Sequence, residues 1–175
     1  MKITKTKNLF FRLVELEDAE FILQLRLDDN LNKYLSYVGL DLGEQKKWIE
    51  SYKVRENLGE EFYYIICNRS NDEKIGTVRI YEINNFSFSW GSWILNNKRL
   101  TTSAIESAYL IYDIGFNKLG LSESLFKVDK RNTGVQNFHL KTGAEFVKED
   151  NVNFFYRFTT FSLGKLKRKY EKYLK

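Results

Sequence analysis

A short loop between a predicted strand and a predicted helix has the residue types of an anion-binding site. It carries Lys98 and Arg99, and the helix after it begins near Ser103. The first amide N–H groups of a helix lack intrahelical acceptors and lie at the positive end of the helix dipole. A pyrophosphate would fit these groups and the two basic side chains. Ser103 and Glu106 also match a capping box, so a well-capped helix without a ligand is the alternative.

Two further side chains have the chemistry to move protons. His139, the single histidine, lies in a short predicted helix, and an imidazole with a pKa near 6.5 exchanges protons around neutral pH. Glu82 lies near the end of a predicted strand, where a carboxylate can take a proton from an amine. Each residue also has an ordinary structural interpretation, as a half-buried helix histidine and as a solvated glutamate.

The elements that position these residues alternate between helices and strands. Apolar patterns and turn residues predict strands at Asn8–Val14, Glu61–Asn68, Lys74–Asn84, Phe86–Leu95 and Leu125–Lys130, and around Glu145–Glu149 and Phe154–Thr160. Helices are predicted at Leu16–Arg26, Leu42–Asn57, Ala104–Lys118, Thr133–Thr142 and in the basic tail Leu163–Leu174, with a polar connection at Asp28–Gly39. The three central strands predict an antiparallel meander. The whole order predicts one domain, residues 1–175, around a single mixed sheet.

Composition excludes several classes of protein. Aromatic residues make up 16% of the 175 residues, which is too many for a disordered chain, and no apolar run approaches the ~20 residues of a membrane span. One histidine and one cysteine, Cys67, exclude a zinc cluster of such ligands, and the lone cysteine favours a reducing cytoplasm and a buried, inert thiol. The formal net charge of +5 suits an anionic small molecule, a membrane surface or a nucleic acid.

The stretch from Arg99 to Phe146 resembles the GNAT superfamily of acetyl-CoA-dependent N-acetyltransferases. The cofactor loop of that family, Arg/Gln-x-x-Gly-x-Gly/Ala at the start of a helix, is matched by Arg-Leu-Thr-Thr-Ser-Ala at 99–104. The run from Asn132 to Phe146 resembles the second signature of the family, an asparagine followed seven residues later by tyrosine and then by Lys-x-Gly-Phe. Two positions depart from the family pattern: Thr102 replaces the central glycine, and His139 replaces the tyrosine. Threonine is acceptable at 102 if the backbone has a negative, helical φ.

The resemblance implies a GNAT-like α/β (α+β) fold, with a mixed, mostly antiparallel sheet of about seven strands, flanking helices and a splayed strand pair at the cofactor site. It also implies acetyl-CoA as co-substrate, with no metal. The implied cofactor-binding residues are Trp93, Ile94, Leu95, Arg99, Leu100, Thr101, Thr102, Ser103, Ala104, Asn132 and Lys141. The implied catalytic residues are His139, which would protonate the departing thiolate, and Glu82, which would deprotonate the amine. Tyr81 and Trp90 are candidates for the acceptor pocket.

The acceptor is expected to be a small-molecule amine. The runs 86–95 and 137–146 resemble GNAT members that acetylate nucleotide-linked deoxyamino sugars for bacterial surface polysaccharides, and the basic balance suits a pyrophosphate-bearing substrate. Two alternatives remain open: a protein N-terminal acetyltransferase of the ribosomal-protein type, and a non-catalytic CoA-binding or nucleic-acid-binding domain. The favoured interpretation expects no nucleic-acid or membrane partner, a cytoplasmic location, and leaves a homodimer open.

Overall fold

The computed structural model describes residues 4–34, 39 and 41–175. Their strands are β1 (Thr4–Lys5), β2 (Leu9–Leu13), β3 (Phe62–Asn68), β4 (Lys74–Tyr81), β5 (Ser87–Leu95), β6 (Glu123–Asp129), β7 (Glu145–Glu149) and β8 (Asn153–Thr159). The α-helices are α1 (Ala19–Leu27), α2 (Leu42–Asn57), α3 (Ser103–Asp113), α4 (Thr133–Thr142) and α5 (Thr160–Leu174). The strands form one sheet in the order β1-β2-β3-β4-β5-β6-β8-β7.

The first half of the sheet is covered by helices on both faces. All seven residues of β3 are buried, and successive side chains alternate between two cores. Tyr64 and Ile66 join the main core with α3 and α5, whereas Tyr63 and Ile65 join a second core with α1 and α2. This explains why β3 reads as a continuous apolar run, since a strand with no solvent face has no reason to alternate polar residues.

The second half of the sheet is covered on one face. In β6 the side chains of Ser124, Phe126 and Val128 are buried, while those of Leu125 and Lys127 are exposed. The buried set belongs to the face that carries α3, α4 and α5, where Phe126 and Val128 join the main core. The opposite face of β6, β8 and β7 is therefore open, and β7 is exposed along its whole length.

The sheet opens between β5 and β6. These strands are the one parallel pair among those described, and they pair only at Ser87 with Glu123 and at Phe88 with Ser124. Beyond Phe88 the strands separate, while β5 stays bonded to β4 as far as Leu95. The splayed pair expected from the sequence is thus confirmed.

A β-bulge in β5 accompanies the separation. The register between β4 and β5 shifts between Thr77 and Arg79, so that β5 contains one extra residue there. Ser92 has a left-handed φ of 48°, and its carbonyl accepts a hydrogen bond from the Thr77 hydroxyl at 3.1 Å. The bulge thus lies beside Gly91, and its left-handed residue directly follows that glycine.

The predicted element types are confirmed, with shifted ends. Helix α2 and helix α4 have the predicted bounds, the meander β3-β4-β5 is antiparallel, and an additional two-residue strand, β1, brings the sheet to eight strands. Helix α1 begins later than predicted because Leu16–Asp18 form a 3₁₀ turn, and the predicted helix to Lys118 ends in a π-turn over Ile114–Lys118. Part of the predicted connection Asp28–Gly39 lies outside the described residues.

Candidate active site

The loop before α3 presents unbonded backbone N–H groups. Among the described residues the N–H groups of Thr101, Thr102 and Ala104 have no acceptor, whereas that of Leu100 donates to the Ser103 hydroxyl at 2.9 Å. The loop therefore keeps three donors beside the positive end of the helix dipole, as an anion site requires. Arg99 is exposed at the same loop and makes only a long contact, 3.4 Å, to the Asn96 carbonyl.

The predicted capping box is wrong. The Ser103 side chain points back to Leu100 and not to the helix interior, so it tightens the loop. Glu106 is fully buried and accepts hydrogen bonds from the Thr6 hydroxyl at 2.6 Å and from the Asn8 backbone N–H at 2.9 Å. Ser103 therefore bonds within the loop and Glu106 bonds the helix to the turn at Thr6–Asn8. Neither side chain accepts a hydrogen bond from the free N–H groups of the loop. Local spacing could not indicate this, because Thr6 and Asn8 are about a hundred residues away.

Thr102 fits its position without backbone strain. Its φ of −89° and ψ of −8° lie in the right-handed helical region, which any residue adopts. Its hydroxyl receives a 3.4 Å contact from the side-chain amide of Asn8. The replacement of the family glycine thus meets the steric condition stated from the sequence.

A cavity of about 340 Å³, here called the aromatic cavity, fills the opening between β5 and β6. The residues that define it are Trp90, Ser92, Trp93, Phe126, Asn132 and His139. Trp93 is fixed by a 3.1 Å hydrogen bond from its indole N–H to the Ser107 hydroxyl on α3. Ile94 and Leu95 also line it, so it includes the three strand residues predicted to bind the cofactor and Asn132.

His139 is packed among aromatic rings at the wall of this cavity. It is 3% exposed, and the ring centroids of Phe126 and Trp90 lie 4.5 and 5.3 Å from its imidazole. Its Nδ1 is buried with no hydrogen-bond partner among the described residues. Burial lowers the pKa of the imidazole to about 3, because the apolar surroundings disfavour the charged form. At neutral pH His139 is therefore uncharged, and any proton transfer there uses the neutral ring.

Asn132 and Lys141, two further residues predicted to bind the cofactor, differ in their position relative to the aromatic cavity. Asn132 caps α4, accepting a 3.3 Å hydrogen bond from the Val135 N–H, and it also lines the aromatic cavity. Its role as a helix cap is thus compatible with the cofactor contact expected of it. Lys141 lies on the exposed side of α4 and lines neither of the cavities described here.

A second cavity, of about 490 Å³ and here called the lysine cavity, lies on the open face of the sheet. The residues that define it are Tyr81, Glu82, Ser89, Lys127, Lys148 and Phe155. Phe126 and Lys127 line both cavities, so the two meet at β6. Two of the predicted residues, Tyr81 and Glu82, lie here, whereas Trp90, also predicted for the acceptor, lines the aromatic cavity.

Glu82 has an unusual backbone conformation. It follows the last residue of β4 and has a φ of 53°, in the left-handed region that favours glycine. Ser92, on the aromatic cavity, is the other left-handed residue at this site. Such residues cost roughly 1–3 kcal/mol and persist where the surrounding structure imposes them, which is common at functional sites. The exposed Glu82 carboxylate is thereby placed on the wall of the lysine cavity.

Tyr81 reaches across to β5. Its hydroxyl lies so close to Gly91 that a Cβ added there would be 2.9 Å from the oxygen. The Arg79 guanidinium lies 4.9 Å from the centroid of the Tyr81 ring, in a cation–π contact. Burial raises the pKa of Tyr81, so its hydroxyl stays protonated at neutral pH. Gly91 is thus required for the position of the tyrosine.

Sequence reasoning missed Lys127, Lys148 and Phe155. The alternation in β6, where Lys127 stands between two apolar residues, identifies it as solvent-facing but not as part of a cavity. Lys148 and Phe155 are brought beside it by pairing across three strands, which the sequence does not specify. Within the described ranges no group of three metal-ligating side chains is found, and no helix there is long and apolar enough to cross a membrane.

This fold, with its splayed strands and its loop of free N–H donors, is that of an acetyltransferase domain. The family model of the GNAT acetyltransferase domain matches residues 8–145. The chain therefore belongs to the GNAT acetyltransferase family. Members transfer an acetyl group from acetyl-CoA, so the chain is an acyltransferase and the resemblance drawn from the two signatures is confirmed.

Particular relatives extend this comparison. The chain is 28% identical over 150 residues to the probable N-acetyltransferase YjcK of Bacillus subtilis, covering 79% of this chain and 81% of the relative. It is 44% identical to a solved structure described as apo FdhC, a nucleotide-linked sugar GNAT, with a TM-score of 0.92 over 99% of this chain and 98% of that one. A putative ribosomal-protein-serine acetyltransferase from Vibrio cholerae, 19% identical with a TM-score of 0.76 over 90% of this chain and 97% of that one, shares the fold.

Proposed function

We propose that this protein transfers the acetyl group of acetyl-CoA to the primary amine of a nucleotide-linked deoxyamino sugar, in the biosynthesis of a bacterial surface polysaccharide. The observation that carries the proposal is the charge arrangement of the lysine cavity. It combines one carboxylate, Glu82, with two lysines that form no ion pair among the described residues, Lys127 and Lys148. An acceptor that fits has both an amine and an anionic group.

The similarity to a nucleotide-linked sugar GNAT, at 44% identity over nearly the whole of both chains, supports the same acceptor class. A basic peptide, the acceptor of the alternative interpretation, would bring positive charge to Lys127 and Lys148. Like charges in one cavity repel, so the lysines disfavour a basic substrate. A nucleotide-linked amino sugar instead carries two phosphate groups for the lysines and one amine for the carboxylate.

Acetyl-CoA fits the other side of the sheet opening. The three free N–H groups at 101, 102 and 104 and the exposed Arg99 suit its pyrophosphate. The edge of β5 that faces the opening has no partner strand after Phe88, and its backbone groups can bond an extended, amide-containing chain. The residues proposed to hold the cofactor are those from 93 to 95, those from 99 to 104, and Asn132. Lys141, on the exposed side of α4, stays a prediction for a cofactor phosphate; like the loop at 99–104, it lines neither cavity.

Glu82 of the lysine cavity and His139 of the aromatic cavity have complementary proton chemistry. Acetyl-CoA, when bound, supplies the activated acetyl group. The exposed Glu82 carboxylate accepts a proton from the ammonium of the acceptor, directly or through water, so that the neutral amine can react. His139 is uncharged at neutral pH, so its neutral N–H can donate a hydrogen bond to the departing thiolate. The proton that the thiolate takes up comes from the attacking nitrogen, which is cationic once the amine has added to the thioester. Tyr81 and Trp90 are proposed to shape the acceptor side of the junction between the two cavities.

The proposal is tested by measuring thiol release from acetyl-CoA with three groups of acceptors. These are UDP- and dTDP-linked amino sugars, the same amino sugars without nucleotide, and N-terminal peptides of ribosomal proteins. We expect turnover of at least one nucleotide-linked sugar with kcat/KM at least about a hundredfold above that of its free sugar, since the phosphate contacts are lost in the latter. Turnover of the peptides with no turnover of any nucleotide-linked sugar would overturn the proposal in favour of a protein N-terminal acetyltransferase.

A further inference from the structure

Lys127, Phe155 and Lys148 form one row across three strands of the open sheet face. Phe155 of β8 is the direct cross-strand partner of Lys127 in β6 and of Lys148 in β7. Side chains of directly opposite residues share a face of the sheet, and all three line the lysine cavity. The sequence separates them by 28 residues at most, but their common row exists only because β8 lies between β6 and β7.

The spacing of the row suits a ligand with two adjacent anionic groups. Neighbouring strands lie about 4.8 Å apart, so the two lysine backbones are about 10 Å apart with the phenylalanine between them. Lysine side chains are long enough to converge from both sides on one group above the row. The Lys148 ammonium already lies 5.1 Å from the centroid of the Phe155 ring, which holds it over the cavity by a cation–π contact.

Both lysines are free to bind an anion. Neither forms an ion pair among the described residues, in contrast to their neighbours Arg157, paired with Glu123 at 2.6 Å, and Lys130, paired with Glu149 at 2.9 Å. The Asp150 carboxylate interacts with Lys127 only as a more distant charge, since it accepts its hydrogen bonds from the backbone at 152 and 153. The basic groups next to the cavity are thus neutralised and those inside it are not.

The charges divide the cavity into two ends. The Glu82 carboxylate follows β4, whereas the two lysines lie on β6 and β7, beyond β5 in the sheet order. A ligand that satisfies both ends carries its amine toward Glu82 and its anionic groups toward β6 and β7. The cavity volume of about 490 Å³ is within the range for small-molecule ligands.

We propose that Lys127 and Lys148 bind the diphosphate of the acceptor and that Phe155 is a positioning residue for Lys148. This inference rests on the proposed function and names the residues that recognise the nucleoside diphosphate half of the substrate. Lysine ammonium groups bind phosphates as compact point charges, and two of them match the two phosphate groups. The diphosphate of the acceptor is thus bound on one side of the sheet opening, and the loop at 99–104 lies on the other side.

Calorimetric titration with dTDP and with UDP, which carry the diphosphate without the amino sugar, tests the inference. The variants are Lys127→Gln, Lys148→Gln and the double substitution. Lys165→Gln is the matched control, because the Lys165 ammonium also lies over a phenylalanine ring, at 4.3 Å from Phe161, but on α5 and outside both cavities. We expect each cavity variant to weaken binding of dTDP or UDP at least about tenfold, and the control to bind like the wild type.

Two further readouts separate a binding role from a general defect. The affinity of the Lys148→Gln variant for acetyl-CoA should equal that of the wild type, since Lys148 lines only the lysine cavity. The variants should raise KM for the nucleotide-linked sugar more than they lower kcat, and Phe155→Leu should raise it by a smaller factor than Lys148→Gln. Equal affinity of the wild type and the double variant for dTDP and UDP, or no binding of either by the wild type, would overturn the inference.

The failure of this inference and that of the proposed function give different results. Lysine-dependent binding of dTDP, with no acetylation of any nucleotide-linked amino sugar, supports the diphosphate site and rejects the proposed acceptor. Acetylation of such a sugar with the same KM in the wild type and the double variant supports the acceptor and rejects the diphosphate site.

Discussion

The two cavities that meet at β6 differ in charge, burial and origin. The aromatic cavity is built around a buried, neutral histidine and two tryptophans, and most of its residues come from β5, β6 and the segment 132–139, which belongs to the second signature. The lysine cavity is lined by residues of five strands, β4 to β8, and its three exposed charged residues, Glu82, Lys127 and Lys148, are linked by no motif. The difference teaches that a cavity next to a sequence signature can be expected from the sequence, whereas a cavity assembled by strand pairing cannot.

The largest effect is expected on the lysine cavity, from Glu82→Gln. Loss of the carboxylate removes the proton acceptor for the amine, and we expect kcat/KM for the amine substrate to fall about a hundredfold. Affinity for acetyl-CoA, measured by calorimetry, should not change, since Glu82 does not line the aromatic cavity. Glu50→Gln, an exposed glutamate on α2, is the control. A Glu82→Gln variant with wild-type kcat/KM would leave Glu82 as a solvated strand-end residue.

On the cofactor side, Arg99→Glu should weaken the binding of acetyl-CoA about thirtyfold. The substitution replaces a charge-assisted hydrogen bond to phosphate with repulsion, and such bonds contribute about 1.5–3 kcal/mol. Arg168→Glu on α5 makes the same change of charge on an exposed residue outside both cavities. If the two variants titrate with the same affinity for acetyl-CoA, the loop at 99–104 does not bind its pyrophosphate.

The burial of His139 predicts a pH dependence of stability. Its pKa is about 3 in the folded protein and near 6.5 in the unfolded chain, so the unfolded state binds more protons at every pH between these values. The stabilising contribution is fully present above pH 6.5 and is lost progressively as the pH falls toward 3. Between pH 7 and pH 5 the free energy of unfolding should decrease by about 2 kcal/mol more in the wild type than in His139→Phe.

Urea denaturation of both proteins at pH 7, 6 and 5 measures this difference. The window avoids Asp18, another buried ionisable group. Burial raises its pKa, but the hydrogen bonds from Arg12, the Glu15 backbone N–H and Lys74 together lower it to about 2, and its contribution is lost only below pH 4. Parallel pH curves for the wild type and His139→Phe would mean that the imidazole is solvated and protonated in the folded protein.

The smallest of the four effects is expected for the catalytic role of His139. His139→Ala should lose at least about tenfold in turnover while its affinity for acetyl-CoA changes little, because the departing thiolate loses its hydrogen-bond donor. His139→Tyr should retain more activity than His139→Ala, since a hydroxyl at this position can donate a hydrogen bond. Rates are compared at a temperature where all three proteins are folded, because the alanine leaves a cavity among the rings. Wild-type turnover in the alanine variant, with chemistry rate-limiting, would make His139 a packing residue.

The prediction from sequence was most accurate where the signal is local. Helix α2 and helix α4 have their predicted bounds, because apolar spacing and caps such as Asp41 and Asn132 define a helix within one segment. The capping box at Ser103 was wrong for the complementary reason. The Glu106 carboxylate could accept hydrogen bonds either from the start of its own helix or from a distant segment. In the fold it accepts them from the turn at Thr6–Asn8.

The sequence by itself determined the order of the elements, the splayed strands, the loop before α3 with its free N–H donors, and the family. These features depend on the spacing of nearby residues and on two signatures that survive as patterns in the chain. Only the tertiary structure decided that His139 is uncharged, because its pKa depends on rings from β5, β6 and α4 that exclude water. The tertiary structure likewise placed Lys127, Phe155 and Lys148 in one row, since cross-strand pairing brings together residues that share no local pattern.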